Sequence, residues 1–295
     1  MIQTKEERMR ITTLVKSVLL LSAGLLFLGA GPAKYSEETI TGPTQGNHEL
    51  NCTVIRPWVR PPGPNQGPYP VIVWASGWGW NDNAGEFITA GYKPGLIEWA
   101  LDGPYIVVAA NQWSVQESDV LQCLQWIIDQ NTEAGSEYEG AVNTEKIGLA
   151  GHSQGGGAVI KAGDGGGDDI TITATIPMNP YGPGWVRPGN QDGPMMLIGG
   201  TEDTTTPTSS FLAVWEAIQS NGQGGLLAEL QGCAHNDEAW APEGENPEDC
   251  NFGRYQDVTE LWWQIYLNDS GDLSELETLL DLHGYWDYEF TDDLD

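Results

Sequence analysis

A single α/β domain with a mostly parallel, doubly wound sheet flanked by helices is the fold this sequence predicts, and three observations lead to it. Apolar runs rich in β-branched residues recur at 71–74, 105–110, 146–150, 170–178, 195–199 and 226–230. Most are continuous rather than alternating, as strands buried on both faces of a parallel sheet must be. Between them Val120, Leu121, Leu124, Ile127 and Ile128 fall at helical spacing, as do Phe211, Val214, Trp215 and Ile218, so strands alternate with amphipathic helices. Third, Gly151-His152-Ser153-Gln154-Gly155 lies between the run 146–150 and the small residues Gly156-Gly157-Ala158. Strand, sharp turn and helix in that order form the setting of a nucleophile elbow.

In chain order, the first stretch carries Lys5, Arg8, Arg10 and Lys16, then an apolar run over 18–28, then small residues around Ala30 and Ala33. It reads as a signal peptide over 1–30 and predicts a secreted protein, extracellular or periplasmic. An uncleaved anchor is the competing reading, because residues 11–15 lengthen the apolar run. The first cysteine is Cys52, too distant for a lipoprotein attachment site. The catalytic domain is expected over 31–270, one large core rather than two. The segment 56–70, with six prolines, is expected to join two strands at a sheet edge. Helices are expected at 256–266 and 273–282, the second within an acidic C-terminal tail over 271–295.

Residues 1–30 hold two of the 42 acidic and four of the 12 basic residues, so the remainder carries 40 against 8. Such a surface repels nucleic acid and anionic membranes, which excludes both as partners. It also repels itself unless salt screens it over roughly 8 Å or less. Adaptation to a saline environment is therefore expected, beside the plainer reading of a soluble acidic exported protein. The four cysteines allow three pairings, and Cys52 with Cys123 and Cys233 with Cys250 are expected. The Asp- and Gly-rich run 163–169 reads as a surface turn without calcium-loop spacing, and neither metal nor cofactor is expected.

A serine hydroxyl needs a base to take its proton and a carboxylate to orient that base. Of four histidines, His48 precedes the first expected strand, His152 sits inside the pentapeptide and is expected to point away from Ser153, and His283 lies in the tail. His235 follows the last expected strand, at the sheet edge where an open α/β sheet forms its ligand crevice. The acid should lie between serine and histidine in chain order, and Asp203 meets that requirement, with Glu202 as competitor. The expected catalytic set is Ser153, Asp203 and His235. An oxyanion hole takes one backbone N–H from the residue after the nucleophile, Gln154, and a second from the loop 75–80, where Trp78 is the expected donor.

With these residues placed, the chain resembles the bacterial cutinase and poly(ethylene terephthalate) hydrolase group within the wider dienelactone-hydrolase-like and chlorophyllase-like α/β-hydrolases. The likeness runs over about 70–267 and rests on GHSQGGG at 151–157, GGTEDTTTP at 199–207 and LQGCAHN at 230–236. It implies a serine carboxylic ester hydrolase, monomeric, acting on an ester or polyester. It also implies that Trp78 contributes to the oxyanion hole and contacts substrate, and that Tyr181, in Met178-Asn179-Pro180-Tyr181, clamps a substrate ring. Gln154 replaces the methionine usual in bacterial members. The segment 80–94 is longer than its equivalent in compact polyester hydrolases, and Cys233 precedes the histidine where polymer-degrading relatives carry a cysteine after it. A soluble-ester esterase, a lipase or a poly(hydroxyalkanoate) depolymerase would use the same machinery. A non-catalytic binding protein that retains the fold is the alternative of another class.

Overall fold

Runs of five or six consecutive buried apolar residues can satisfy their backbone only in the middle of a sheet covered on both faces, and that is where they lie. The computed structural model describes residues 35–42, 50–57, 68–79, 91–165, 170–182, 193–237, 252–292 and 294, and one compact unit begins at Tyr35. The expected signal segment 1–30, His48, most of the proline-rich stretch, residues 80–90, 166–169 and Cys250 lie outside the described residues.

Among the described residues the strands are β1 (Tyr35–Gly42), β2 (Leu50–Pro57), β3 (Tyr69–Ala75), β4 (Ile106–Ala110), β5 (Val142–His152), β6 (Ala174–Met178), β7 (Met195–Gly200), β8 (Gly225–Leu230) and β9 (Tyr285–Phe290). They form one sheet in the order β1-β2-β4-β3-β5-β6-β7-β8-β9. From β4 to β8 all neighbours are parallel, while β1, β2 and β9 pair antiparallel at the margins. The helices are α1 (Lys93–Asp102), α2 (Glu117–Thr132), α3 (Gln154–Gly165), α4 (Leu212–Ser220), α5 (Phe252–Leu267) and α6 (Leu273–His283).

Alternate side chains of each strand enter opposite cores. Ile72, Trp74, Val107 and Ala109 pack with residues of α1, α5 and α6, whereas Val71, Val73, Ile106 and Val108 pack with those of α2 and α3. Phe211, Val214, Trp215 and Ile218 extend the second layer with α4 against β7. The predicted fold class therefore holds.

Two expectations are corrected. The segment 271–295 is not a tail: Leu276 and Leu280 of α6 are buried, and β9 completes the sheet against β8 in register Leu226↔Phe290. Asp287 and Glu289 stand exposed on β9, and further acidic residues flank it, so the segment's composition resembles solvated chain. The proline-rich segment does join two strands, β2 and β3, but β3 lies in the interior of the sheet and not at its edge.

The disulfide Cys52–Cys123 ties β2 to α2 with Cα atoms 6.0 Å apart. It closes a span of 71 residues, and cross-linking that length restricts the unfolded chain by about 4 kcal/mol in the chain-entropy account. Cys233 is also disulfide-bonded, while its expected partner Cys250 lies outside the described residues.

Candidate active site

The chain leaves β3 toward β4 on one side, and β5 enters the sheet on the other, so strand order reverses between β3 and β5. Loops diverge there at the carboxyl ends of the strands and open a crevice. Ser153 stands at that point as the single residue between β5 and α3, with φ 52°, in the left-handed region that a serine adopts at a cost. Close packing holds it there. A Cβ on Gly155 would meet the Ala75 carbonyl oxygen of β3 at 2.1 Å, and one on Gly157 would meet that of Tyr181 at 2.3 Å. Ser153 N–H donates to the Met178 carbonyl at 3.0 Å, and its own carbonyl accepts from Tyr181 N–H at 2.7 Å.

Three loops converge on the Ser153 hydroxyl. His235, after β8, places Nε2 2.9 Å from Ser153 Oγ and Nδ1 2.7 Å from Asp203 Oδ2. Asp203, after β7, is fully buried at its side chain, and the competitor Glu202 is exposed. Burial alone would push the Asp203 carboxyl up. The hydrogen bond from His235 and those from the Thr206 N–H and hydroxyl overcome it and bring the group down to about 2. Asp203 Oδ1 accepts from the N–H groups of Thr205 and Thr206, both at 2.8 Å, which fixes the carboxylate plane. Thr206 Oγ1 lies 2.8 Å from Asp203 Oδ2, 3.0 Å from His235 Nδ1 and 2.9 Å from the Asn179 carbonyl, and its one proton serves one acceptor at a time.

A cleft of about 590 Å³ opens over this array, lined by Trp78, Ser114, Ser153, Gln154, Tyr181, Thr205, His235 and Asn236. Trp78 is 65% exposed and Tyr181 58% exposed. Large apolar side chains left in water around one cleft mark a surface that meets a ligand. Trp78 packs edge-on against Trp113, also exposed, with ring centroids 6.0 Å apart. Gly79 N–H donates to the Trp113 carbonyl at 2.9 Å, joining the two loops. The Gln154 amide donates to Ser114 Oγ at 2.7 Å, so the residue that departs from the family pattern braces the neighbouring loop.

The arrangement has the parts for removing a proton from a serine hydroxyl and stabilising the imidazolium that results. Residues 105–243 match a protein-family model, PETase, described as PET hydrolase-like. The match spans just under half of the chain and supports an α/β-hydrolase similar to that family. That family implies ester hydrolysis as the chemistry. No curated protein matches the sequence of this hydrolase.

Several residues of the hydrolase escaped the reading of the sequence. His152 does not stand apart from the site: its ring is fully buried, 4.9 Å from the His235 ring. Its Nδ1 lies 2.5 Å from the Tyr92 hydroxyl and its Nε2 2.6 Å from the His235 carbonyl. Asn179, at φ 40°, accepts from Gly200 N–H at 3.0 Å and reaches the His235 carbonyl at 3.5 Å. Thr206 and Trp113 belong here too. The Thr-rich run after Asp203 and the Trp-Ser pair after β4 were the available signals. His283 pairs instead with Asp257 on α5 at 2.9 Å. Among the described residues no cluster of His, Cys, Asp and Glu is suited to a metal ion, and no helix is long and apolar enough to cross a membrane.

Proposed function

We propose that the protein is a secreted serine carboxylic ester hydrolase of the cutinase and polyester-hydrolase type, acting through an acyl-enzyme. The observation that carries this reading is the position of His235, within hydrogen-bond distance of both Ser153 Oγ and Asp203 Oδ2 at the floor of a cleft. Ser153 attacks the ester carbonyl while His235 takes its proton. Asp203 holds Nδ1–H and so keeps Nε2 free to act as the base. Backbone N–H groups of Gln154, at the first turn of α3, and of Trp78 receive the developing oxyanion, where the helix N-terminus favours negative charge. His235 returns its proton to the leaving alcohol, the ester C–O bond breaks, and water repeats the sequence to release the acid.

Exposed Trp78 and Tyr181, lining the same cleft as the serine, favour an extended or aromatic acyl group over a short aliphatic one, because flat rings gain most by stacking. Polyesters, including aromatic ones, are the proposed substrate class. The disulfides suit an oxidising compartment, which supports export with removal of residues 1–30, and the acidic surface supports work at high salt.

The test is fluorophosphonate labelling together with hydrolysis of p-nitrophenyl esters and of polyester film, across salt concentrations, for wild type and Ser153→Ala. Labelling and ester turnover that vanish in Ser153→Ala are expected. Labelling that persists in that variant overturns the serine mechanism. Turnover of soluble esters with no product from film reassigns the enzyme as a soluble-ester esterase.

A further inference from the structure

Catalysis by His235 depends on where its main chain is held, since a few tenths of an ångström separate a hydrogen bond from a contact on both sides of the ring. Hydrogen bonds hold the main chain of the loop at 231–237 on either side of that residue. The Cys233 carbonyl accepts from Glu202 N–H at 2.9 Å, and Ala234 N–H donates to Asp237 Oδ2 at 2.7 Å. The His235 carbonyl itself turns inward. It accepts from His152 at 2.6 Å, with the Asn179 amide at a longer 3.5 Å.

A carbonyl oxygen can only accept, so the His152 Nε2 carries the proton. Burial, and then the neighbouring His235, press the His152 pKa down to about 3, so the ring is neutral and its Nδ1 offers a lone pair. The Tyr92 hydroxyl, 2.5 Å away, is the donor that fits. One directed chain results: Tyr92 O–H to His152 Nδ1, then His152 Nε2–H to the His235 carbonyl. Its members lie 60 and 83 residues apart in sequence and are held by the folded sheet.

We propose that Tyr92 and His152 are positioning residues for the reaction: the buried pair fixes the main chain of His235 so that its ring spans Ser153 and Asp203. The proposal rests on the reading of Ser153, His235 and Asp203 as the catalytic set. His152 is fully buried, outside the residues that line the cleft, and acts through His235.

The test compares His152→Gln with His152→Met. The two side chains have similar length and volume, and only glutamine can donate to the His235 carbonyl. The expected result is a kcat lowered about 30-fold in His152→Met with KM within two-fold, and a kcat within about three-fold of wild type in His152→Gln. The rate of fluorophosphonate labelling follows kcat. The downfield proton resonance of His235 Nδ1–H, sharp in wild type and His152→Gln, broadens in His152→Met. Tyr92→Phe keeps the ring packed, loses only the hydroxyl, and is expected to lower kcat several-fold at unchanged KM, which reads the chain even if neither His152 variant folds. Equal kcat in the glutamine and methionine variants, or wild-type kcat in Tyr92→Phe, overturns the proposal. Failure of the underlying reading looks different, because then wild-type labelling would not depend on Ser153.

Discussion

Glu260, on α5, is buried, and among the described residues its side chain has one hydrogen bond, from the Gln264 amide to Oε1 at 3.2 Å, with no partner for Oε2. Burial, then Asp102, Asp257 and Glu98, raise its pKa from 4.5 to about 8, and the Gln264 bond opposes them. Asp102 and Glu98 face it from α1, Asp257 lies on its own helix, and the Tyr105 hydroxyl lies close enough to be raised by it. Below pH 4.5 the carboxyl is protonated both folded and unfolded, and contributes nothing to the pH dependence. Between pH 4.5 and 8 the unfolded chain has released the proton and the folded one keeps it, so stability falls as pH rises, at about 1.4 kcal/mol per unit. Above pH 8 the loss levels off near about 5 kcal/mol. Glu260→Gln removes the titration while keeping the acceptor for Gln264. Urea unfolding at about pH 5 and about pH 8.5 should show the variant gaining on wild type by about 4 kcal/mol between the two. A difference between the proteins that stays constant within about 1 kcal/mol over this range refutes the reasoning.

Asp203→Asn should lower kcat by about 10⁴ with little change in melting temperature, because the amide cannot hold the His235 tautomer; stopped-flow or steady-state ester hydrolysis reads it. Replacing Cys52 and Cys123 by serine should cost about 4 kcal/mol in urea unfolding and leave kcat at about 25 °C unchanged in the folded fraction. Gly155→Ala should destabilise by about 3 kcal/mol or more by thermal unfolding, since a methyl there meets the Ala75 carbonyl of β3 at 2.1 Å. Trp113→Ala should raise KM for aryl esters several-fold through lost support for Trp78, with kcat nearly constant.

All six central strands could be read from the sequence because burial on both faces leaves mostly apolar side chains, as in Ile-Val-Val-Ala-Ala of β4. The margins could not. β1 alternates exposed and half-buried residues through Ser36, Glu37, Glu38 and Thr39, and β9 interleaves Asp287 and Glu289 with aromatics, so both resemble solvated chain. The first helix, α1, opens on Pro94 and Gly95, which local propensity assigns to a turn; burial of Leu96, Trp99 and Ala100 prevails. The convergence of Ser153, Asp203 and His235 could be inferred because chain order and strand ends constrain them. The supports around them could not, because the contacts of Tyr92, His152 and Asn179 are long-range and leave no local pattern. His152 shows this most directly, since its neighbour in sequence is the serine and its bonded partner is the main chain 83 residues on.

The end of α6 has a bearing on how the loop at 231–237 is held. The guanidinium of Arg254 donates to the Gln231 carbonyl at 3.0 Å and to the His283 carbonyl at 2.6 and 2.8 Å, and Gln231 N–H donates to the Gly284 carbonyl at 3.2 Å. The loop that carries His235 thus leans on residues synthesised some fifty positions later. Loss of the end of α6 would therefore unsettle the loop at 231–237 without touching the serine elbow, which rests on β3 and β6.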